Sequence, residues 1–392
     1  MKEPKKEQTI LFLTKWYPNK HDVQLGVFVR KHAKASAEYC NVSLIYVFAD
    51  DEINTTYLLK KNEDHGFLEI NSFFKKSNSV FKFLINPIRY LFANLKAIKV
   101  VEKEMGKIDL VQVNVLTRPG VIAVLMYCFS RIPYIVVEHW TGYASGKFQS
   151  QSFIKRCIST YIVSKAKAVV VVSKSLKDKM LELGLKNKYV VIPNVIENVC
   201  LQKKRDSDVI KILTVADLYD LHKNISDVLS VISKIINETD YKIEYHVIGG
   251  GPDEFILREK SDKLGLTNRV VFFHGRQTNE FVYEFYKEID FVIINSRLET
   301  FSVVATEAIV NGKPLITTVC GGPEEFITEK QGVLIEKDNV EELKKAILFM
   351  LHNYKMYNAE ALNEYAMSKF SYHIIGKQFY DLYNDIIKNN NA

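Results

Sequence analysis

Residues 291–314 read Phe291-Val-Ile-Ile-Asn295-Ser-Arg-Leu-Glu299-Thr-Phe301-Ser-Val-Val-Ala-Thr-Glu307-Ala-Ile-Val-Asn-Gly312-Lys-Pro314. The apolar run at 291–294 is too short for a helix and reads as a strand buried on both faces. A helix pattern opens after it, and a further strand follows from Pro314. Glu299 falls in the loop and Glu307 inside the helix. Between them, the amides of Phe301, Ser302 and Val303 fall at the helix N-terminus. Free N–H groups and the helix dipole make that place suitable for a diphosphate. Two carboxylates flanking an anion site suit a nucleotide sugar, one for the hexose and one for the ribose.

The same strand–helix rhythm extends in both directions. Further strands are predicted at Thr9–Leu13, Val42–Phe48, Leu110–Val113, Tyr134–Val137 and Ala168–Val172, then at Ile210–Val215, Glu244–Ile248, Val270–Phe273 and Pro314–Thr317. Most are Val/Ile-rich rather than alternating, as strands of a parallel sheet are. Helices are predicted at Val27–Ala37, Ile225–Ile236 and Val340–Leu351, and an aromatic helical pattern runs from Phe370 to Ile387. The fold class is α/β: two doubly wound, Rossmann-like domains, with ligand sites outside the carboxyl ends of their strands. A charged, core-poor linker is expected over about 194–209. It divides a domain at 1–195 from one at 196–372, with a C-terminal helix at about 373–392 packing back on the first.

Composition agrees with two domains of ordinary size. The chain has 392 residues, 47% of them hydrophobic and 25% charged, which excludes disordered and collagenous classes. The net charge of +7 conceals a polarity. Residues 1–190 carry 30 Lys and Arg against 16 Asp and Glu, a net of +14, while the remainder carries 23 against 30, a net of −7. A basic half implies an anionic partner: nucleic acid, a membrane surface or a phosphorylated substrate. The five cysteines are scattered without a Cys-x-x-Cys pair, which argues against a zinc site and a disulfide framework and favours a reducing compartment. The first apolar run, Ile10–Leu13, is too short for a signal peptide, and no stretch reaches the roughly 20 apolar residues of a membrane span. A cytoplasmic protein is expected, with room for peripheral membrane contact.

Glu-x7-Glu after a strand, then Gly312-Lys-Pro314 and Gly321-Gly322-Pro-Glu-Glu325, resembles the signature of family 4 glycosyltransferases, retaining enzymes of the two-Rossmann GT-B architecture. Other segments match in family order. Gly249-Gly-Gly251-Pro252 resembles the Gly-x-Gly-Pro turn of the donor domain, and Ile192-Pro-Asn194 the segment that closes the first domain. Val169–Ser173, Glu138-His139, and Tyr17-Pro18 through Gly26-Val-Phe28 also match. The resemblance implies that Glu299 holds the donor sugar below its anomeric carbon, that Glu307 holds the ribose, and that the amides of Phe301, Ser302 and Val303 hold the diphosphate. Lys223 matches the lysine that neutralises the leaving diphosphate, and His139 the histidine beside the donor sugar. Gly26, Asn194 and Gly249 match positions lining the nucleotide-sugar site.

One position departs from the family. The strand Thr214-Val-Ala-Asp217 ends in a carboxylate where an Arg is usual, and a carboxylate beside a diphosphate is repulsive unless it points away. Arg276, on the neighbouring loop, is the candidate replacement cation. No Asp-x-Asp triplet is present, so neither a metal nor another cofactor is expected. The resemblance makes the basic half the acceptor half. Its segment Phe73–Lys99 mixes bulky apolar residues and cations with no acid, which suits an anionic membrane as well as it suits a Lys-rich helix face.

The reading is a retaining glycosyltransferase that moves a sugar from a nucleoside diphosphate to a glycan or polyprenyl-diphosphate-linked acceptor, in bacterial surface polysaccharide synthesis. The alternatives are a sugar-nucleotide epimerase of similar shape and a non-catalytic glycan- or lipid-binding relative. No nucleic-acid recognition motif accompanies the basic half, so no nucleic-acid partner is expected.

Overall fold

The computed structural model describes residues 7–201 and 207–391. The basic run Lys203–Arg205 of the expected linker lies outside the described residues. The chain forms two compact units, Met1–Val195 with Tyr372–Ala392, and Ile196–Ser371.

In unit 1, β1 (Thr9–Thr14), β2 (Asn41–Ala49), β3 (Tyr57–Asn62), β4 (Leu68–Phe74), β5 (Leu110–Asn114), β6 (Tyr134–Glu138), β7 (Val169–Val171) and β8 (Tyr189–Val191) form one sheet. Its order is β3-β4-β2-β1-β5-β6-β7-β8, and only the edge strand β3 is antiparallel. Helices α1 (Val27–Ala37), α2 (Lys82–Met105), α3 (Thr117–Ser130), α4 (Phe153–Lys165) and α5 (Lys174–Glu182) complete the crossovers. The sheet is apolar on both faces because helices cover both. On one face Ile10, Phe12, Leu44, Ile135 and Val137 pack into a core with α1 and with the last helix of the chain. On the other, α2 lies on β2 and β4, and α3 on β1, β5 and β6.

Unit 2 repeats the design. Strands β9 (Ile210–Val215), β10 (Ile243–Ile248), β11 (Val271–Gly275), β12 (Phe291–Ile294), β13 (Leu315–Thr318) and β14 (Gly332–Ile335) make a wholly parallel sheet, ordered β11-β10-β9-β12-β13-β14. Its helices are α6 (Asp220–Lys223), α7 (Ile225–Glu238), α8 (Glu254–Lys263), α9 (Asn279–Tyr286), α10 (Val303–Val310), α11 (Val340–Asn353) and α12 (Ala359–Phe370). The strand order reverses beside β1 in unit 1 and beside β9 in unit 2. Ligands of open α/β sheets bind at such switch points, outside the carboxyl ends.

All ten predicted strands are present to within a residue or two, but four others were not foreseen. β3 is an exposed edge strand, β8 and β14 span three and four residues, and the Gly332 that opens β14 reads as a turn. β4 was obscured by Glu69, Asn71 and Ser72, whose side chains are polar yet mostly buried. Its last residues are Phe73 and Phe74, so the Phe73–Lys99 segment is the end of a strand followed by a helix rather than one interfacial element. The Phe370–Ile387 pattern is one helix from Tyr372 onward, with Phe370 ending the helix before it. Ser371 is extended (φ −64°, ψ 158°) and separates α12 from α13 (Tyr372–Asn391), which returns to unit 1. There Ile375, Phe379 and Tyr383 are fully buried in the core, each contributing about 1.5–3 kcal/mol relative to exposure.

Candidate functional site

In unit 2 the predicted residues collect at the switch point. β9 ends at Val215 and β12 at Ile294, so the loops that follow them emerge side by side. Lys223 comes from the first loop and Glu299 from the second, and they meet with Nζ 2.6 Å from Oε1. Ser296 donates to the same Glu299 oxygen at 2.8 Å, and the Glu299 amide donates to the Cys320 carbonyl at 3.1 Å. Burial works against the charge on Lys223. The carboxylates of Glu299, hydrogen-bonded to it, and of Asp217 outweigh that and raise its pKa. Lys223 is therefore a fixed ammonium.

The turn carrying Lys223 is held rigidly. Asn224 adopts left-handed backbone (φ 48°) and is the single residue between α6 and α7. Arg297 donates to the carbonyls of Asp220 and Leu221 at 3.0 and 3.2 Å and to Asn224 Oδ1 at 2.8 Å, and it pairs with Asp338. Asn295 Nδ2 donates to the Asn224 carbonyl at 3.0 Å. Residues of the Glu299 loop thus clamp the Lys223 loop. Sequence reading missed Arg297 and Asn224 because their partners lie about 70 residues away, and Ser296 because nothing in its type marks it as a partner of Glu299. Position within four residues of Glu299 or Lys223 is the one signal they carry.

Beyond Glu299, Ser302 sits at φ 68°, a left-handed conformation costly for a residue with a Cβ. It precedes α10, which has no side-chain N-cap and no acid in its first turn. The Phe301, Ser302 and Val303 amides therefore lead into a positive, uncapped helix end. Glu307, one turn into α10, accepts a 3.4 Å hydrogen bond from Tyr283, whose pKa is raised by burial and by that carboxylate. Tyr283 is a further residue without a sequence signal.

Asp217 lies beside Arg276 rather than unopposed, with Nη2 3.6 Å from Oδ1 on neighbouring loops. Both side chains are largely exposed. The carboxylate in the position where Arg is usual thus has a cation beside it. Gly249 is placed by packing: at φ 143°, an added Cβ would lie 1.8 Å from the Ala216 carbonyl oxygen. Its place is the close approach of the β9 and β10 loop backbones. No distance ties its own atoms to the Lys223–Glu299 pair.

Unit 1 brings a second group together. Gly26 caps α1 at φ 68°, and a Cβ there would lie 2.2 Å from the Trp16 carbonyl oxygen. His139 follows β6 and is 8% exposed, its ring centroid 4.1 Å from Phe28 and 5.4 Å from His32. Burial, and then the neighbouring His32, lower its pKa well below the usual histidine value, so the imidazole is neutral. His32 Nε2 meets the Pro193 carbonyl at 3.2 Å, beside Asn194, whose buried Oδ1 has no hydrogen-bond partner among the described residues. Glu138 is fully buried and accepts from the Leu116 amide at 2.7 Å and from Tyr143 at 3.0 Å, with burial raising its pKa. Ser173 caps α5 by accepting from the Leu176 amide. Among the described residues, no three His, Cys, Asp or Glu side chains gather as metal ligands, and no helix is long and apolar enough to cross a membrane.

Known proteins supply the comparison. The family described as "Glycosyl transferases group 1" matches residues 197–368, and "Glycosyltransferase Family 4" matches residues 54–198. An uncharacterised glycosyltransferase of Methanocaldococcus jannaschii is 26% identical over 269 residues, covering 68% of this chain and 72% of its own. N-acetyl-alpha-D-glucosaminyl L-malate synthase of Bacillus anthracis is 27% identical over 42% of this chain and 43% of its own. Among solved structures, sucrose-phosphate synthase of Thermosynechococcus elongatus superposes with a TM-score of 0.74 at 16% identity, covering 97% of this chain and all of that one. Anabaena HepE, solved in complex with UDP, gives 0.71 at 16% identity over 96% of this chain and all of its own.

Proposed function

We propose, from the premise that the chain is a group 1 glycosyltransferase of the GT-B fold, that it transfers a sugar from a nucleoside diphosphate with retention of configuration. The acceptor is a glycan or a polyprenyl-diphosphate-linked glycan of a bacterial surface polysaccharide. The observation that carries this is the Lys223–Glu299 pair beside an uncapped helix N-terminus at the switch point of unit 2. It sets a carboxylate for sugar hydroxyls next to an ammonium and amides for a diphosphate.

In the reaction, the bond from C1 to the diphosphate oxygen breaks and its electron pair leaves with the diphosphate. Lys223, Arg276 and the Phe301–Val303 amides stabilise the negative charge that develops there. The acceptor hydroxyl attacks C1 from the face the diphosphate leaves and passes its proton to the departing phosphate oxygen, so no protein nucleophile is needed. Glu299 steadies the cationic sugar ring through its hydroxyls, Glu307 holds the ribose, and neutral His139 donates to or accepts from the sugar. Asp217, the one ground for a non-catalytic relative, has Arg276 beside it, which supports the catalytic reading.

Unit 1 meets the acceptor. The start of α2 exposes Phe81, Phe83, Leu84, Ile88 and Phe92 among Lys82 and Arg89, a surface suited to the cytoplasmic leaflet. Flotation with anionic vesicles, lost in Lys75, Lys76 and Lys82 to Glu variants, tests that contact. A thermal-shift panel of UDP-, GDP-, ADP- and dTDP-sugars tests the donor. UDP comes first, since HepE was solved with UDP and with UDP-glucose. A shift by one nucleotide class, lost in Lys223→Met, supports the reading. No shift by any class sinks it.

A further inference from the structure

Unit 1 has its own switch point, between β1 and β5, and the groups there are cationic. Lys15 follows β1, with its amide bonded to the Asn114 carbonyl at the end of β5. Arg118 stands in the first turn of α3, and Lys155 in the first turn of α4. Partial burial, then the charges of Arg118 and Lys155, push the pKa of Lys15 down, while Glu138 opposes this. Arg118 has no carboxylate within ion-pair distance among the described residues. Val115, at the same turn, holds left-handed backbone (φ 66°), a conformation a β-branched residue adopts only when its surroundings impose it.

A groove of about 360 Å³ opens from Arg118 and runs between α2 and α3. Pro87, Tyr90 and Leu91 of α2 face Val121, Ile122 and Leu125 of α3 across it, with Arg118 the only charged residue in its wall among the described residues. Positions 118, 121, 122 and 125 form one stripe of α3, so the arginine stands at the carboxyl-edge end of a channel that is mainly apolar, with Asn86 a further polar residue in its wall. A dry cavity of about 150 Å³ takes one benzene, so this one has room for about two isoprene units. Its exposed surroundings on α2 continue the apolar surface.

We propose that this groove seats the polyisoprenoid chain of a lipid-phosphate acceptor, with the phosphate at Arg118. The apolar channel takes the tail, and the acid-free wall with one unopposed arginine selects an anionic head. This rests on the glycosyltransferase reading and deepens it by giving the acceptor a place and a chemical class.

The test is calorimetric titration of the full chain with geranylgeranyl phosphate below its micelle concentration, alongside geranylgeraniol and inorganic phosphate. Geranylgeranyl phosphate binds tighter than either control. Arg118→Ala weakens it about tenfold or more, the effect of losing one charge-assisted hydrogen bond, and leaves geranylgeraniol unchanged. Leu125→Trp, which fills the groove, weakens both lipids and leaves inorganic phosphate alone. Inorganic phosphate binding as tightly as the lipid phosphate overturns the proposal, leaving an ion site only. So does lipid binding unchanged in Leu125→Trp, or association with anionic vesicles without saturable binding of the single lipid. Nucleotide titration of the same preparations reads unit 2 separately. Lipid binding without nucleotide binding defeats the transferase reading, and the converse defeats only this proposal.

Discussion

Replacing Lys223 and Glu299 singly and together measures whether the candidate site is a preformed electrostatic unit. The two side chains are 25% and 13% exposed, with 2.6 Å between charged atoms. At an effective dielectric near 20 their attraction is about 6 kcal/mol, most of which is offset by removing both ions from water. With a quarter of the lysine still solvated, the net coupling should be about 1–2 kcal/mol, above the value for a fully exposed pair. Lys223→Met alone leaves a buried carboxylate and costs about 2–3 kcal/mol, as does Glu299→Gln in the opposite sense. The double variant then falls short of the sum by the coupling. Both tryptophans, Trp16 and Trp140, lie in unit 1, so unit 2 is best followed by amide hydrogen exchange in α7 and α10. Because the pKa of Lys223 is raised, its contribution is complete below about pH 10 and is lost only as pH climbs through the raised value. The cycle is therefore flat from pH 6 to 9. Turnover in Lys223→Met drops by about 10²–10³. Additivity of the two substitutions within about 0.3 kcal/mol would falsify the picture of a coupled pair.

Other outcomes follow from the same geometry. Gly249→Ala, with its Cβ 1.8 Å from the Ala216 carbonyl oxygen, should destabilise unit 2 by more than about 3 kcal/mol; an unchanged unfolding midpoint removes the packing argument. Asp217→Ala should leave stability within about 0.5 kcal/mol, as an exposed pair does, and tighten donor binding by freeing Arg276, whereas Arg276→Ala should weaken it. Weaker binding in Asp217→Ala would place Asp217 on the donor itself. Burial holds His32 at a pKa of about 4. Its neutral form is the folded one, so the stabilisation is present above about pH 6.5 and is lost as pH falls towards 4, by about 3 kcal/mol. His32→Leu should flatten that part of the urea-midpoint profile, and a variant as acid-sensitive as the wild type excludes His32 as the cause.

The parallel core was legible because buried strands are written as unbroken apolar runs, and Phe291–Ile294 and Val169–Val171 announce themselves that way. Strands that face water on one side, such as β3, or bury polar side chains, such as β4 with Glu69 bonded to Tyr17, carry no such mark. At the site, the types and order of Glu299, Glu307 and Lys223 pointed to anion and sugar chemistry. That Lys223 and Glu299 pair, that Arg297 locks the turn between them, and that Arg276 answers Asp217 depend on which loops are neighbours. Strand order sets that, and strand order is not written locally.

The return of α13 to unit 1 also fixes an order of events during synthesis. Ile375, Phe379, Tyr383 and Ile386 complete the core begun by Ile10 and Phe12, so that core stays open until α13 has left the ribosome. Unit 2, one contiguous stretch, can close first. A nascent chain stalled before Tyr372 would carry a finished second unit and an unfinished first, its α1 face uncovered and available to a chaperone.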